Sequence, residues 1–259
     1  MNAESLPILF GSLELSAFAR EADSAVVRAE AENWGYRRLL QHLAEAEVQD
    51  RRARKIERLL KYSGLPPSET FARFDETKMP EKARRMLPTL LSGDFVRRGD
   101  NLVAVGLPGR GKTGFCAALG RELLDRHQMK VLFVPAFKLA ARLLAAKRDL
   151  KLVPALAKLN NFDVVVVDEL GGYVDLNQSE VDVLFSFFGE RYEKQRSVFV
   201  TTNLAFSEWE KVFKNPMTAT AIVDRLVHRC VLLEFPAKHS IRHDEAKKRQ
   251  ASATVELAK

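Results

Sequence analysis

The spacing of apolar positions changes character near residue 99. Before that point apolar residues recur at helical intervals. Leu39, Leu43, Ala46, Ala53, Ile56 and Leu60 mark one face of a long helix. The opposite face carries Arg37, Arg38, Arg51, Arg52, Arg54, Lys55, Arg58 and Lys61. The pattern stops at Ser63-Gly64-Leu65-Pro66-Pro67, a run that cannot continue a helix. A linker follows, with Phe71 and Phe74 as expected anchors onto what comes next, and residues 80–93 read as another helix. After Gly99 short apolar runs alternate with amphipathic stretches. The expected strands are Leu102–Val105, Val131–Pro135, Val164–Val167, Val198–Thr201 and Val231–Phe235, with helices near 112–127, 136–149, 177–194 and 218–228. Continuous apolar strands alternating with helices predict an α/β fold, a five-stranded parallel sheet covered on both faces. Such sheets place ligands at the carboxyl ends of their strands. The expected organisation is a small all-helical domain over 1–70, a linker and joining helix over 71–98, a core over 99–240 and a basic tail over 241–259.

Composition narrows the class. The chain has 259 residues, 46% of them apolar, enough for a sizeable core. Its formal net charge is +7, which fits either a solvated surface or a polyanionic partner such as nucleic acid. Cys116 and Cys230 are the two cysteines, and their spacing gives neither a disulfide framework nor a zinc site. No apolar run reaches the ~20 residues needed to span a bilayer. The expectation is a cytoplasmic protein without a membrane partner.

The chemistry sits between the strands. Gly106-Leu107-Pro108-Gly109-Arg110-Gly111-Lys112-Thr113 fits G-x-x-x-x-G-K-[ST] in full, after an apolar strand and before a helix that continues from Gly114. Glycines let the backbone curl so that N–H groups face phosphate oxygens, and the helix offers its positive end to the same anion. Lys112 then neutralises the outer phosphates of ATP, and the Thr113 hydroxyl holds Mg²⁺. Val164 to Val167 run into Asp168 and Glu169. In a phosphate-loop fold such a strand lies beside the loop, so Asp168 serves the metal and Glu169 polarises the attacking water. The run Ser197–Thr201 continues into Thr202 and Asn203. Asn203 either holds the lytic water or γ-phosphate, or simply ends the strand in a turn. Arg225 follows Asp224 on the next helix; it either completes a neighbouring subunit's site or forms a surface ion pair with Asp224 or Glu190.

The order of phosphate loop, Asp-Glu, Thr-Thr-Asn and Asp-Arg-Leu resembles the AAA+ superfamily. Within it the chain is similar to the IstB-like transposition helper ATPases and to DnaC-type helicase loaders. Trp34-Gly-Tyr, Glu45 and Asp50 to Lys55 resemble the helper's N-terminal domain. Phe71 to Asp75 resemble its interdomain joint. Asp168-Glu-Leu-Gly171 and Glu190 to Glu193 resemble the core, and Asp224-Arg-Leu226 with Ser240-Ile-Arg242 its ending. The resemblance implies Lys112, Glu169, Asn203 and Arg225 in catalysis, residues Gly106 to Gly114 around the nucleotide, and Thr113 and Asp168 at the metal. It implies a homo-oligomer with ATP at subunit interfaces, double-stranded DNA and a cognate transposase as partners. Arg51, Arg52, Arg54, Lys55, Lys147 and Arg148 are the candidate DNA contacts, each of which a solvated helix face would also explain, and the Arg51 to Lys55 cluster points to DNA or an acidic partner. A helicase loader is the alternative. A small-molecule kinase would need a substrate pocket and a lid, and a nucleotide-gated scaffold would turn over negligibly.

Overall fold

A computed structural model describes residues 6–74, 79–172 and 176–236. Asp75, Ser240, Ile241, Arg242 and the expected basic tail lie outside the described residues. The chain divides into two compact units, Met1–Arg58 and Leu59–Lys259.

The first unit is helical. It contains α1 (Leu6–Ser12), α2 (Ser16–Ala31) and most of α3, which runs from Tyr36 to Ser63. Phe10 meets Phe18 edge-on at 5.1 Å and joins α1 to α2. Trp34, in the α2–α3 turn, lies edge-on to His42 and beneath the guanidinium groups of Arg28 and Arg38. α2 has no side-chain N-cap of its own. Glu47 of α3, 4% exposed, supplies one from a distance by accepting the Ala17 N–H at 2.8 Å. The same carboxylate accepts from Arg51 Nε at 2.7 Å.

These contacts hold the Glu47 carboxyl below its ordinary pKa, Arg51 first and the Ala17 amide after it. A depressed carboxylate stabilises the fold above its unfolded pKa, and that contribution is lost as pH falls through the folded one. Glu47→Gln is therefore expected to destabilise the helical unit at neutral pH by about 1.5–3 kcal/mol, the usual worth of charged hydrogen bonds. It should also flatten the acid limb of the stability curve. Circular dichroism melts between pH 3 and 7 check this; parallel curves for the two proteins would contradict it.

In the second unit the order is α4 (Glu81–Leu91), α5 (Asp94–Arg97), β1 (Asn101–Gly106), α6 (Lys112–His127), β2 (Val131–Pro135), α7 (Ala136–Arg148), α8 (Leu152–Asn160), β3 (Val164–Leu170), α9 (Gln178–Glu193), β4 (Ser197–Thr202), α10 (Trp209–Phe213), α11 (Pro216–Val227) and β5 (Cys230–Phe235). The strands form one parallel sheet in the order β2-β3-β4-β1-β5. Val103, Val165, Val167, Val198 and Val200 face a core built with α7, α9, α10 and α11. On the other face Val166 approaches Gly120 of α6, and Phe95 stacks on Phe199 at 5.6 Å. Both faces are covered, which is why the strands read as unbroken apolar runs. Phe71 and Phe74 pack edge-on against Phe115 of α6, at 5.5 and 6.4 Å.

Several elements depart from expectation. β3 does not stop at Val167 but continues through a register shift to Leu170. α8 and α10 were not anticipated; Leu156 and Trp209, both buried, anchor them. α11 begins at Pro216 because Asn215 caps it, accepting the N–H groups of Met217 and Thr218. Arg191, 1% exposed on α9, donates to the carbonyls of Leu159, Phe162, Asp163 and Ser197. It thereby ties the end of α8 to the entries of β3 and β4; burial lowers its pKa to about 9. Among the described residues no helix is long and apolar enough to cross a membrane.

Candidate functional site

The site forms where β1, β3 and β4 end on the same edge of the sheet. β1 hands over to α6 through the loop after Gly106. Gly106 has φ +152°, and a Cβ there would fall 2.4 Å from the Phe235 carbonyl oxygen, so the turn requires glycine. Leu107 and Pro108 are exposed, while Gly109 and Gly111 adopt left-handed backbone that leads into Lys112 at the start of α6. Gly114, in the first helical turn, leaves room for the Glu69 carboxylate and the Phe74 ring; a Cβ would lie 2.6 Å from Glu69 Oε2 and 3.2 Å from the ring.

Two short networks hold the charged groups. In the first, Lys112 is only 6% exposed and its Nζ donates to Gly106 O at 2.5 Å, Leu107 O at 2.8 Å and Asn203 Oδ1 at 2.9 Å. In the second, Asp168 Oδ1 accepts from Thr113 Oγ1 at 2.8 Å and from Thr201 Oγ1 at 2.6 Å. Thr201 Oγ1 in turn accepts the Glu169 N–H at 2.9 Å. β3 does not pair with β1, because β4 lies between them. Asp168 reaches Thr113 across the ends of the strands, not along a shared ladder. Glu169 sits in the irregular part of β3 at φ +56° and is exposed. Left-handed backbone is uncommon for a residue other than glycine and is concentrated at functional positions.

Arg225 lies elsewhere. Asn101, the first residue of β1, donates from Nδ2 to Leu226 O at 3.1 Å and to Arg225 O at 3.5 Å. The phosphate loop follows the last residue of that strand, roughly 16 Å away at the usual rise per residue. The Arg225 guanidinium stacks 4.8 Å from the Phe185 ring centroid and donates to Ala221 O at 3.3 Å. The ion pairs considered with Asp224 or Glu190 are not found among the described residues; Glu190 accepts instead from Asn160. Tyr192, Arg196, His228 and Arg229 line a cleft with Arg225.

The donor set suits a magnesium triphosphate. Lys112, the turned backbone before it and the N-terminus of α6 converge, and Arg110 Nε is buried with no partner among the described residues. Thr113 and Asp168 present two hard oxygen ligands side by side, the few that Mg²⁺ needs when phosphates and water complete its shell. Thr201 and Phe185 were not singled out from sequence. Thr201 was visible as the polar end of an apolar strand, whereas nothing local marks Phe185, which meets Arg225 only through the packing of α9 on α11.

Comparison with known proteins agrees with this geometry. The chain matches the IstB-like ATP binding protein family over residues 9–251. It is 36% identical to an insertion sequence ATP-binding protein of Sinorhizobium fredii, covering 89% of this chain and 76% of the relative. It is 33% identical to the insertion sequence IS21 ATP-binding protein of Pseudomonas aeruginosa, covering 94% and 90%. In fold it is similar to the DnaC helicase loader, with a TM-score of 0.51 at 21% identity over 61% of this chain and 92% of the other. It is similar also to AMPPCP-bound DnaA from Aquifex aeolicus, with a TM-score of 0.55 at 16% identity over 73% and 57%. The phosphate loop, the Asp168 network and the β2-β3-β4-β1-β5 sheet thus stand on an AAA+ fold, and the chain belongs to the IstB-like ATP-binding protein family of insertion sequences.

Proposed function

We propose that this protein hydrolyses ATP, assembles as an oligomer on double-stranded DNA and assists the transposase of its insertion sequence in target selection, acting in the cytoplasm. The observation that carries the reading is the convergence of Lys112, Asn203, Thr113, Asp168 and Glu169 at one edge of the sheet. Lys112 neutralises the β- and γ-phosphates, and the backbone from Gly106 to Gly114 cradles them. Mg²⁺, when bound by Thr113 and Asp168, offsets the negative charge on the phosphate oxygens. Glu169 orients a water and accepts its proton, while Asn203 fixes the position of that water or of the γ-phosphate. Thr201 holds the Asp168 carboxylate and the Glu169 amide in register.

The Arg225 backbone lies beside Asn101, at the end of β1 opposite the phosphate loop, which supports a role at the site of a neighbouring subunit. ATP then acts as glue between subunits, and hydrolysis loosens the contact. The names of the curated relatives favour the transposition reading over that of a helicase loader, since they place those proteins in insertion sequences. Purified protein with a non-hydrolysable ATP analogue is expected to be retained on duplex DNA and to recruit a cognate transposase. Retention that ignores nucleotide, or recruitment of the replicative helicase in place of the transposase, would contradict the reading.

A further inference from the structure

The segment that follows α3 brings a carboxylate to the phosphate loop. Leu65 is buried, and the Glu69 N–H donates to Pro66 O at 3.2 Å, so the chain turns after the proline pair. Phe71 and Phe74 then fasten it to Phe115 of α6, the residue after Gly114. Phe235 also meets Phe115, at 5.8 Å, so the first turn of α6 carries four aromatic rings. Phe71 and Phe74 keep part of their surface open. Glu69, half-buried, stands beside this cluster. A Cβ on Gly114 would meet Glu69 Oε2 at 2.6 Å and the Phe74 ring at 3.2 Å, so a side chain there would force the carboxylate to move.

Among the described residues this carboxylate has no ion-pair partner. No described N–H of the phosphate loop or of the first turn of α6 donates to it; the Phe115 N–H goes to Gly111 O. Glu69 therefore stands beside the phosphate cradle without filling it. An ionised carboxylate offers acceptors alone, so whatever it binds must donate. With the phosphates of ATP in the loop, the surface beside the first turn is left for the nucleoside. Adenine presents a donor there, its 6-amino group, where guanine presents an acceptor. The hydroxyls of ribose donate as well, but the open aromatic surface beside Glu69 suits a flat base better than a sugar, because bases stack on aromatic rings.

We propose that Glu69 selects adenine, its carboxylate accepting from the 6-amino group while the Phe74 ring supports the face of the base. The assignment rests on the ATP-binding reading above and adds how the base is read. The test is calorimetric titration of the full chain, with Mg²⁺, against ATP, purine riboside triphosphate, which lacks the amino group, and 2′-deoxy-ATP. Wild type is expected to prefer ATP to purine riboside triphosphate by about 10- to 100-fold, the worth of a hydrogen bond to a charged group. Glu69→Ala is expected to bind the two equally. Glu69→Gln keeps an acceptor without the charge and should retain a preference of about 2- to 10-fold. Circular dichroism melts verify that the variants fold, and the wild-type comparison needs no variant.

Wild-type protein that binds none of the three nucleotides would sink the ATP reading and this assignment with it. Wild-type protein that binds ATP and purine riboside triphosphate equally well would overturn the assignment alone. A folded Glu69→Ala protein that discriminates as wild type does would do the same. Tighter ATP binding by Glu69→Ala would overturn it by marking the carboxylate as a competitor of the phosphates. A loss for 2′-deoxy-ATP in wild type that vanishes in Glu69→Ala, with the amino group of no consequence, would overturn it in favour of a ribose contact.

Discussion

Arg225→Ala is expected to bind ATP normally and to release phosphate about a thousand-fold more slowly than wild type, the lower end of what arginine fingers contribute. The reason is positional. Arg225 sits beside Asn101 at the entry to β1, and the phosphate loop follows the exit of the same strand. From that end of the strand the proposed target of the side chain is another subunit's site. Mixing therefore discriminates: Arg225→Ala and Lys112→Ala proteins, each inactive alone, should recover turnover together, because a mixed interface joins an intact loop to an intact arginine. Failure to recover would remove the arginine from the neighbour's site, and wild-type turnover by Arg225→Ala alone would remove it from the chemistry. Phe185, whose ring supports the guanidinium, is a positioning residue in this scheme.

Glu169→Gln is expected to keep ATP affinity, to lose turnover by about 100- to 10,000-fold, and to stay longer on DNA. Asp168 is committed to Thr113 and Thr201. Among the described residues Glu169 joins that network through its backbone N–H alone, and its carboxylate is the group proposed to hold a water. The substitution preserves shape and removes the proton acceptor, so the loss should fall on the chemical step within the range of general-base catalysis. If hydrolysis times release, the trapped ATP form holds its subunits together and the DNA lifetime lengthens. Equal lifetimes for the two proteins would contradict the switch, and equal phosphate release would contradict the role of Glu169.

Much of this arrangement was legible in the sequence. The five strands showed because burial on both faces leaves no polar alternation to confuse with a helix. The loop showed because Gly106, Gly109 and Gly111 fall where the backbone takes positive φ, which other residues avoid. Other features depend on packing. The register shift within β3 that leaves Glu169 exposed needs the pairing with β4 to be seen. α8 is nine residues with Pro154 inside, and its apolar positions make sense only against α7 and α9. Arg51 and Arg54 of α3 illustrate a different loss. Their Glu47 and Asp50 partners stand four residues away in plain view, yet a row of cations reads as one face until the ion pairs are located. Conversely, nothing in Leu150 itself announces a solvent-facing leucine; its exposure follows from the left-handed turn that closes α7.

The central claim is that a magnesium triphosphate is seated at the start of α6. Calorimetric titration of the purified protein with ATP and Mg²⁺ tests it most directly. One site per chain is expected, abolished by Lys112→Ala and made insensitive to Mg²⁺ by Thr113→Ala/Asp168→Ala. Absence of binding with or without DNA, or binding untouched by Lys112→Ala, would contradict the account.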